Sequence, residues 1–309
     1  MPQREDGVHG RGGATYPPPA ASRLCLPRRA CLVALSAACC RPATTERAAR
    51  PRLLFASGFE GDISLAPPYG LWRHALHQDV VGLDSNTGYT WPAELWGGRT
   101  SIQLLTDGPG GAISNSIESV TGHDGSATRA LHLAVNSMQP GGVTQSPLLL
   151  TGGNPTSDFY ISQWVKLPSN LGRLLGRGGW MSGFGEWKTA GDFRVISGII
   201  VDGDGKPIWE MKWDNMAGHL PRQTFWRHTN SRVPVPQGEW MHVGFFTRRG
   251  NTDGRVWLKV NGQTVFDHTG DNIGVNNDPI DRIFLANAYG SKPVDIWVDD
   301  LEIWDGAPA

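Results

Sequence analysis

Polar and apolar positions alternate through most of the chain, and Gly, Asn, Asp or Pro interrupts the apolar runs every eight to twelve residues. That rhythm predicts short β-strands in a sandwich or barrel, and the 3.6-residue period of an amphipathic helix is almost absent. Strands are expected at 53–59, 130–136, 146–151, 158–167, 193–201, 208–213, 223–228, 240–248, 255–260, 263–268, 282–288 and 294–304. The section 66–124 reads as loop-rich, with Trp72, Tyr89, Trp91 and Trp96 pinning it to the body. Residues 170–179 read as a Gly/Arg-rich crossing.

The stretch 184–214 is the centre of the pattern. Its two strands flank Asp202-Gly203-Asp204-Gly205, where glycines supply positive φ and carboxylates close Asx turns, so it predicts a hairpin. Charge recurs inside these strands, at Glu186, Lys188, Arg194, Glu210, Lys212 and Asp214. Ionised groups on a central strand are costly unless paired or turned to a wet groove; an ordinary solvated sheet face gives the same alternation. A tight turn at Gly203-Asp204 sends Arg194 and Lys212 to opposite faces, and one extra residue brings them to the same face.

Composition divides the chain near residue 52. Up to that point there are nine Arg, no Lys and three acids; beyond it stand 19 basic and 26 acidic residues. All four cysteines (Cys25, Cys31, Cys39, Cys40) fall in the first part and all thirteen tryptophans in the second. Arg23, Arg28 and Arg29 precede the short apolar run 31–39, the layout of a secretory signal too short to span a bilayer. Residues 1–50 are therefore expected to be a signal and disordered extension, and the protein secreted or periplasmic. Cleavage near Ala38 leaves Cys39 at the terminus for a lipid anchor, although Ser36 stands where a lipobox has leucine. Residues 53–309 lack cysteine and rely on a core, which their length and aromatic content supply as one domain. A monomer is expected.

The segments GEWMHVGFF, GRVWLKVNGQTVFD, DRIFLANAYG and VDIWVDDLEIWDG, with YISQWVKLP upstream, resemble the concanavalin A-like lectin/glucanase superfamily. The resemblance implies an all-β jelly-roll sandwich of two curved antiparallel sheets with a sugar groove on the concave one. WVKLPSN, GEWKT, DFRV and FLANAYG are most similar to the jelly-roll polysaccharide lyases of the heparin lyase I, alginate and glucuronan types. Two departures stand out: Gly178-Gly179 is followed by Trp180 where some alginate lyases have lysine, and the RTEL-type and QIH motifs of others are missing.

A lyase of this kind removes the proton α to a uronate carboxylate. It needs cations to neutralise that carboxylate and a base to take the proton. Residues 220–250 hold Arg222, Arg227, Arg232, Arg248 and Arg249 against the single acid Glu239, which suits an anionic polysaccharide. The expected site takes Arg194, Lys188 or Lys212 as neutralising cation, Glu186 as its orienting partner and His228 as base. Tyr289 is the alternative base, or the acid for the leaving oxygen. Trp213, Trp226, Arg227 and Asn287 are expected to bind substrate. The resemblance further implies a structural calcium ion at the chain ends, with Glu60, Asp62 and Asp299 beside Asp300. Two alternatives stay open: a glycoside hydrolase using Glu186 and Glu210, and a noncatalytic carbohydrate-binding module. The acidic balance of residues 53–309 and the lack of a phosphate-cradling glycine loop in strand-helix context argue against nucleic acid and nucleotides.

Overall fold

The computed structural model describes residues 50–308, apart from 73–74, 97, 99, 108–110, 140–143, 153–157, 192, 216–222 and 275–277. The signal-like segment with its four cysteines, including the anchoring Cys39, lies outside the described residues, as does Arg222.

The described chain runs β1 (Leu53–Ser57), β2 (Ser64–Leu65), β3 (Tyr69–Trp72), β4 (Ala75–Gln78), β5 (Val80–Leu83), β6 (Thr90–Trp91), β7 (Glu94–Leu95), β8 (Thr100–Thr106), β9 (Ile113–Thr121), β10 (Ala127–Val135), β11 (Gln145–Gly152) and β12 (Asp158–Lys166). It continues through α1 (Leu171–Leu175) to β13 (Trp180–Thr189), β14 (Phe193–Val201), β15 (Pro207–Asn215), β16 (Gln223–Asn230), β17 (Trp240–Arg248), β18 (Arg255–Val260), β19 (Gln263–Thr269), β20 (Ile280–Gly290) and β21 (Val294–Trp304). Eight strands form one antiparallel sheet in the order β19-β18-β17-β12-β21-β10-β9, with β1 also paired to β21. Ten form the other, in the order β16-β15-β14-β13-β20-β11-β8-β4-β3, with β7 on β8. The small sheet β2-β5-β6 completes the set.

Strand alternation builds the core between the two large sheets. On β14, Val195 and Ile199 point inward; on β15, Trp209, Met211 and Trp213 do the same. Each such side chain contributes roughly 1.5–3 kcal/mol when fully buried. Polar links also cross the sandwich: Trp187 Nε1 donates to Thr247 Oγ1 at 3.1 Å, and Gln163 Nε2 to the Leu285 carbonyl at 2.8 Å. At Gly185 the φ is +106°, and a Cβ there would stand 2.4 Å from the Phe245 ring. No larger residue lets the two sheets approach so closely at that point.

The section 66–124 is richer in sheet than its sequence suggests. β8 and β9 are full strands, while β3 to β7 are two to four residues long, too short to register as a period. Three of its aromatics pin it: Trp91 lies edge-on to Phe55 at 4.7 Å and donates from Nε1 to Ser57 Oγ at 2.9 Å, Tyr89 meets Phe55 at 5.3 Å, and Trp96 packs on the core; the Trp72 side chain lies outside the described residues. The crossing at 170–179 contains the one-turn helix α1, whose Leu171 and Leu175 are buried.

Candidate active site

The face of each charged side chain is decided at the β14–β15 loop. Residues 202–206 form a five-residue connection, in which Asp202 N donates to Lys206 O and Asp202 Oδ1 accepts from the N–H groups of Asp204 and Lys206. Arg194 is therefore paired with Asp214, and Ile196 with Lys212. The tight-turn register is not adopted, and Arg194 and Lys212 share the outward face. β13 joins them through a bulge in which the four steps from Ser182 to Glu186 oppose two of β14. Ser197 Oγ closes the bulge by donating to Gly185 O at 3.0 Å. The even excess keeps Ser182, Glu186 and Lys188 on the face of Arg194.

These residues form one linear ion network. Lys188 Nζ lies 3.2 Å from Glu186 Oε1, which lies 3.3 Å from Arg194 Nη1. Arg194 Nε and Nη2 donate to the two oxygens of Asp214 at 2.6 and 3.3 Å, and Lys212 Nζ stands 3.2 Å from Asp214 Oδ2. Glu186, Arg194 and Asp214 are buried, so the two carboxylates are stabilised by their cations rather than by water. Burial alone would lower the Arg194 pKa, but Glu186 and Asp214 outweigh it and hold the guanidinium above its ordinary value. Three cations against two anions leave one positive charge in excess.

The outer face above this network opens into a cleft of about 630 Å³, lined by Trp180, Arg194, Glu210, Lys212, Arg227 and Tyr289 among others. Arg227 pairs with Glu210 from the edge strand β16. Tyr289 meets Trp180 edge-to-face at 4.7 Å. Burial raises the Tyr289 pKa; the Arg194 charge opposes this, while Glu186 and Asp214 add to it, and the phenol stays protonated at neutral pH. Two buried polar side chains near Tyr289 have no hydrogen-bond partner: Ser182 Oγ, and both amide atoms of Asn287, which lies two residues before Tyr289 on β20.

Other expected residues lie elsewhere. His228 pairs across the ladder with Met211 and not with Lys212, so it leaves the opposite face of β16. Its Nε2 stands 3.1 Å from His268 Nδ1, on a separate cavity between β16 and β19. Trp213 belongs to the core and stacks on Phe225 at 4.2 Å, and Trp226 stacks on His268 at 4.3 Å; neither lines the cleft. The face rule explains all three: they alternate with Lys212, Arg227 and Asp214. Trp180 is the cleft's tryptophan, and its only sequence signal is its place after Gly178-Gly179. Glu186 and Glu210 sit on strands separated by β14, a backbone separation of about 10 Å before any offset along the strands. A retaining hydrolase needs its carboxyl groups about 5–5.5 Å apart.

At the chain ends, Thr128 Oγ1 donates toward Glu60 Oε1 at 2.7 Å and lies 3.2 Å from Asp299 Oδ2. Asp62 instead accepts from Leu83 N at 2.7 Å. Asp300 reaches His123 Nε2 at 3.0 Å. Among the described residues, no three carboxylate, imidazole or thiol groups converge closely enough to hold a metal ion. Burial, the neighbouring Asp300 and Glu60 together push the Asp299 carboxyl up to about 7. No helix among the described residues is long and apolar enough to cross a membrane.

No protein-family model and no curated protein sequence matches the chain. Among solved structures it is similar to an endo-β-1,4-glucuronan lyase from the fungus Trichoderma reesei, at 10% identity over 62% of this chain and 87% of that one, with a TM-score of 0.42. An alginate lyase matches at 16% identity over 66% and 82%, with a TM-score of 0.37. The binding domain of botulinum neurotoxin DC, in complex with rat synaptotagmin II, matches at 11% identity over 75% and 49%, with a TM-score of 0.41. At these values no residue role passes from any of them to this chain.

Proposed function

We propose that the protein is a secreted polysaccharide lyase that cleaves a 4-linked uronate polymer by β-elimination in the cleft of the ten-stranded sheet. The observation that carries this reading is the placement of the Tyr289 phenol on a cleft that also holds Arg194, Lys212 and Arg227. Elimination draws off the proton on the carbon bearing the carboxylate, and the charge that develops on that group must be neutralised in place. Arg194 commits each of its three nitrogens to Glu186 or Asp214 and keeps the floor positive. The Lys212 and Arg227 side chains are 28% and 53% exposed, so they are the cations able to meet a substrate carboxylate. Tyr289 supplies the proton that the departing glycosidic oxygen requires, and Trp180 offers an apolar ring beside it. The Arg-led apolar segment at the N-terminus supports export. His228 has no part in this reading, because it opens on a different cavity.

Incubation with uronate polymers and with a neutral glucan, followed by ultraviolet absorbance of the conjugated unsaturated uronide, tests the proposal. The chromophore is expected from uronate polymers alone. New reducing ends without it would make the protein a hydrolase, and saturable binding without any cleavage would make it a binding module.

A further inference from the structure

A single register row crosses the cleft floor. Tyr289 on β20 pairs with Ser182 on β13, Ser182 with Gly198 on β14, and Gly198 with Glu210 on β15. Tyr289 and Glu210 thus stand on opposite walls, three strand spacings apart, a backbone separation of about 14 Å. Between them the floor is flat. Gly198 has no side chain, and a Cβ there would stand 2.3 Å from the Met181 carbonyl oxygen, so no other residue fits without moving the backbone. The trough has room for a pyranose ring with one wall on each side.

Resting on the lyase reading above, we infer that Glu210 is the proton-abstracting base, opposite Tyr289, and that the enzyme performs anti elimination. In the free protein Glu210 is held by Arg227, a solvent-exposed cation at the cleft edge. A uronate carboxylate entering the trough competes for that guanidinium. The carbon bearing this carboxylate also bears the proton to be removed, so the exchange brings a newly unpaired Glu210 to the reacting carbon. The C5–H bond breaks and its proton passes to the Glu210 carboxylate. The bonding pair forms the C4–C5 double bond, the C4–O bond breaks, and the leaving oxygen takes the proton of Tyr289. Proton exchange with water then restores both side chains.

Because base and acid act from opposite walls, the departing hydrogen and oxygen must lie on opposite faces of the ring. That selects 4-linked uronates whose C5 hydrogen and C4 oxygen are trans, the guluronate and galacturonate configurations. The mannuronate and glucuronate configurations place them on the same face.

The test is to incubate the full-length protein with polyguluronate, polygalacturonate, polymannuronate and glucuronan, following the unsaturated chromophore. At least one trans polymer is expected to react tenfold or more faster than both cis polymers. Equal rates, or a preference for a cis polymer, overturn anti elimination and leave the lyase reading standing; no chromophore from any polymer overturns both. Glu210→Gln, with its circular dichroism spectrum and melting temperature unchanged, is expected to lose about 10²–10⁴ in kcat and to flatten the acid limb of the pH–rate profile. A variant that keeps either the rate or the limb shows that Glu210 is not the base.

Discussion

The outward faces of the two large sheets carry similar chemistry and use it differently. On the eight-stranded sheet, His132 gives Nδ1 to Glu118 at 2.8 Å and Nε2 to Asp295 at 3.2 Å, and its ring stacks on Trp297 at 4.4 Å. Trp297 Nε1 in turn donates to Glu118 at 3.1 Å. Nearby, His123 stacks on Trp164 at 3.9 Å and reaches Asp300, while His242 meets Ser162 Oγ at 2.8 Å. His132 and Trp297 are direct ladder partners, so their rings stand upright across adjacent strands and turn their edges outward. On the ten-stranded sheet the ion network is equally dense below, but above it Lys212 and Arg227 keep spare donors, and Ser182 on the cleft is unpartnered. Aromatic and charged residues on a sheet therefore do not mark a site by themselves. Polar capacity left unused inside a concavity is the better sign.

Removing the phenol should separate the two faces most sharply. Tyr289→Phe is expected to lower the rate of unsaturated-uronide formation by about 10²–10⁴-fold, with the melting temperature unchanged. A similar loss from His132→Gln would show that the eight-stranded face takes part in the chemistry.

The next largest effect lies in stability. Arg194→Ala strands Glu186 and Asp214 in the interior and should cost about 3–5 kcal/mol, read from urea unfolding. Lys212→Ala removes a partly exposed pair and should cost less than about 1 kcal/mol, while weakening turnover. Equal costs would mean that the network is not organised around the arginine.

The pH-dependent effects both arise on the eight-stranded sheet. Asp299 binds its proton up to about pH 7 in the folded protein but only up to about its ordinary value of 3.8 when unfolded. Stability from this group therefore falls as pH rises from about 4 to 7. His132 is shifted upward: burial would lower its pKa, but Asp295 and Glu118 outweigh it. Its contribution is complete below the unfolded value and fades as pH rises through the folded one. The melting temperature should be higher at pH 5 than at pH 8, with Asp299→Asn removing part of that difference. If Asp299→Asn or His132→Gln leaves the pH dependence of the melting temperature unchanged, that residue's assignment is contradicted.

Much of the sheet framework is legible in the sequence. The strands at 193–201, 240–248, 255–260 and 294–304 have the same limits in sequence and structure because turn residues bracket them. β3 to β7 are not legible, since two to four residues carry no measurable period. In the cleft, the cations of the central hairpin can be picked out as charges a buried strand would exclude. What cannot be read is which side chains face outward together, because that depends on loop length and on the β13 bulge. His228, Trp213 and Trp226 share strands with cleft residues yet point away from the cleft, and Tyr289 reaches it by pairing with a strand more than a hundred residues earlier.

Most surface turns tolerate the loss or gain of a residue over evolutionary time. The loop at 202–206 cannot. Deleting a single codon there would slide β15 by one place, sending Glu210, Lys212 and Asp214 into the greasy interior and exposing Trp209, Met211 and Trp213 on the outer face. The allowed spectrum of insertions and deletions at this exposed loop should be as narrow as the substitution spectrum at Gly198, although no residue of the loop touches the cleft.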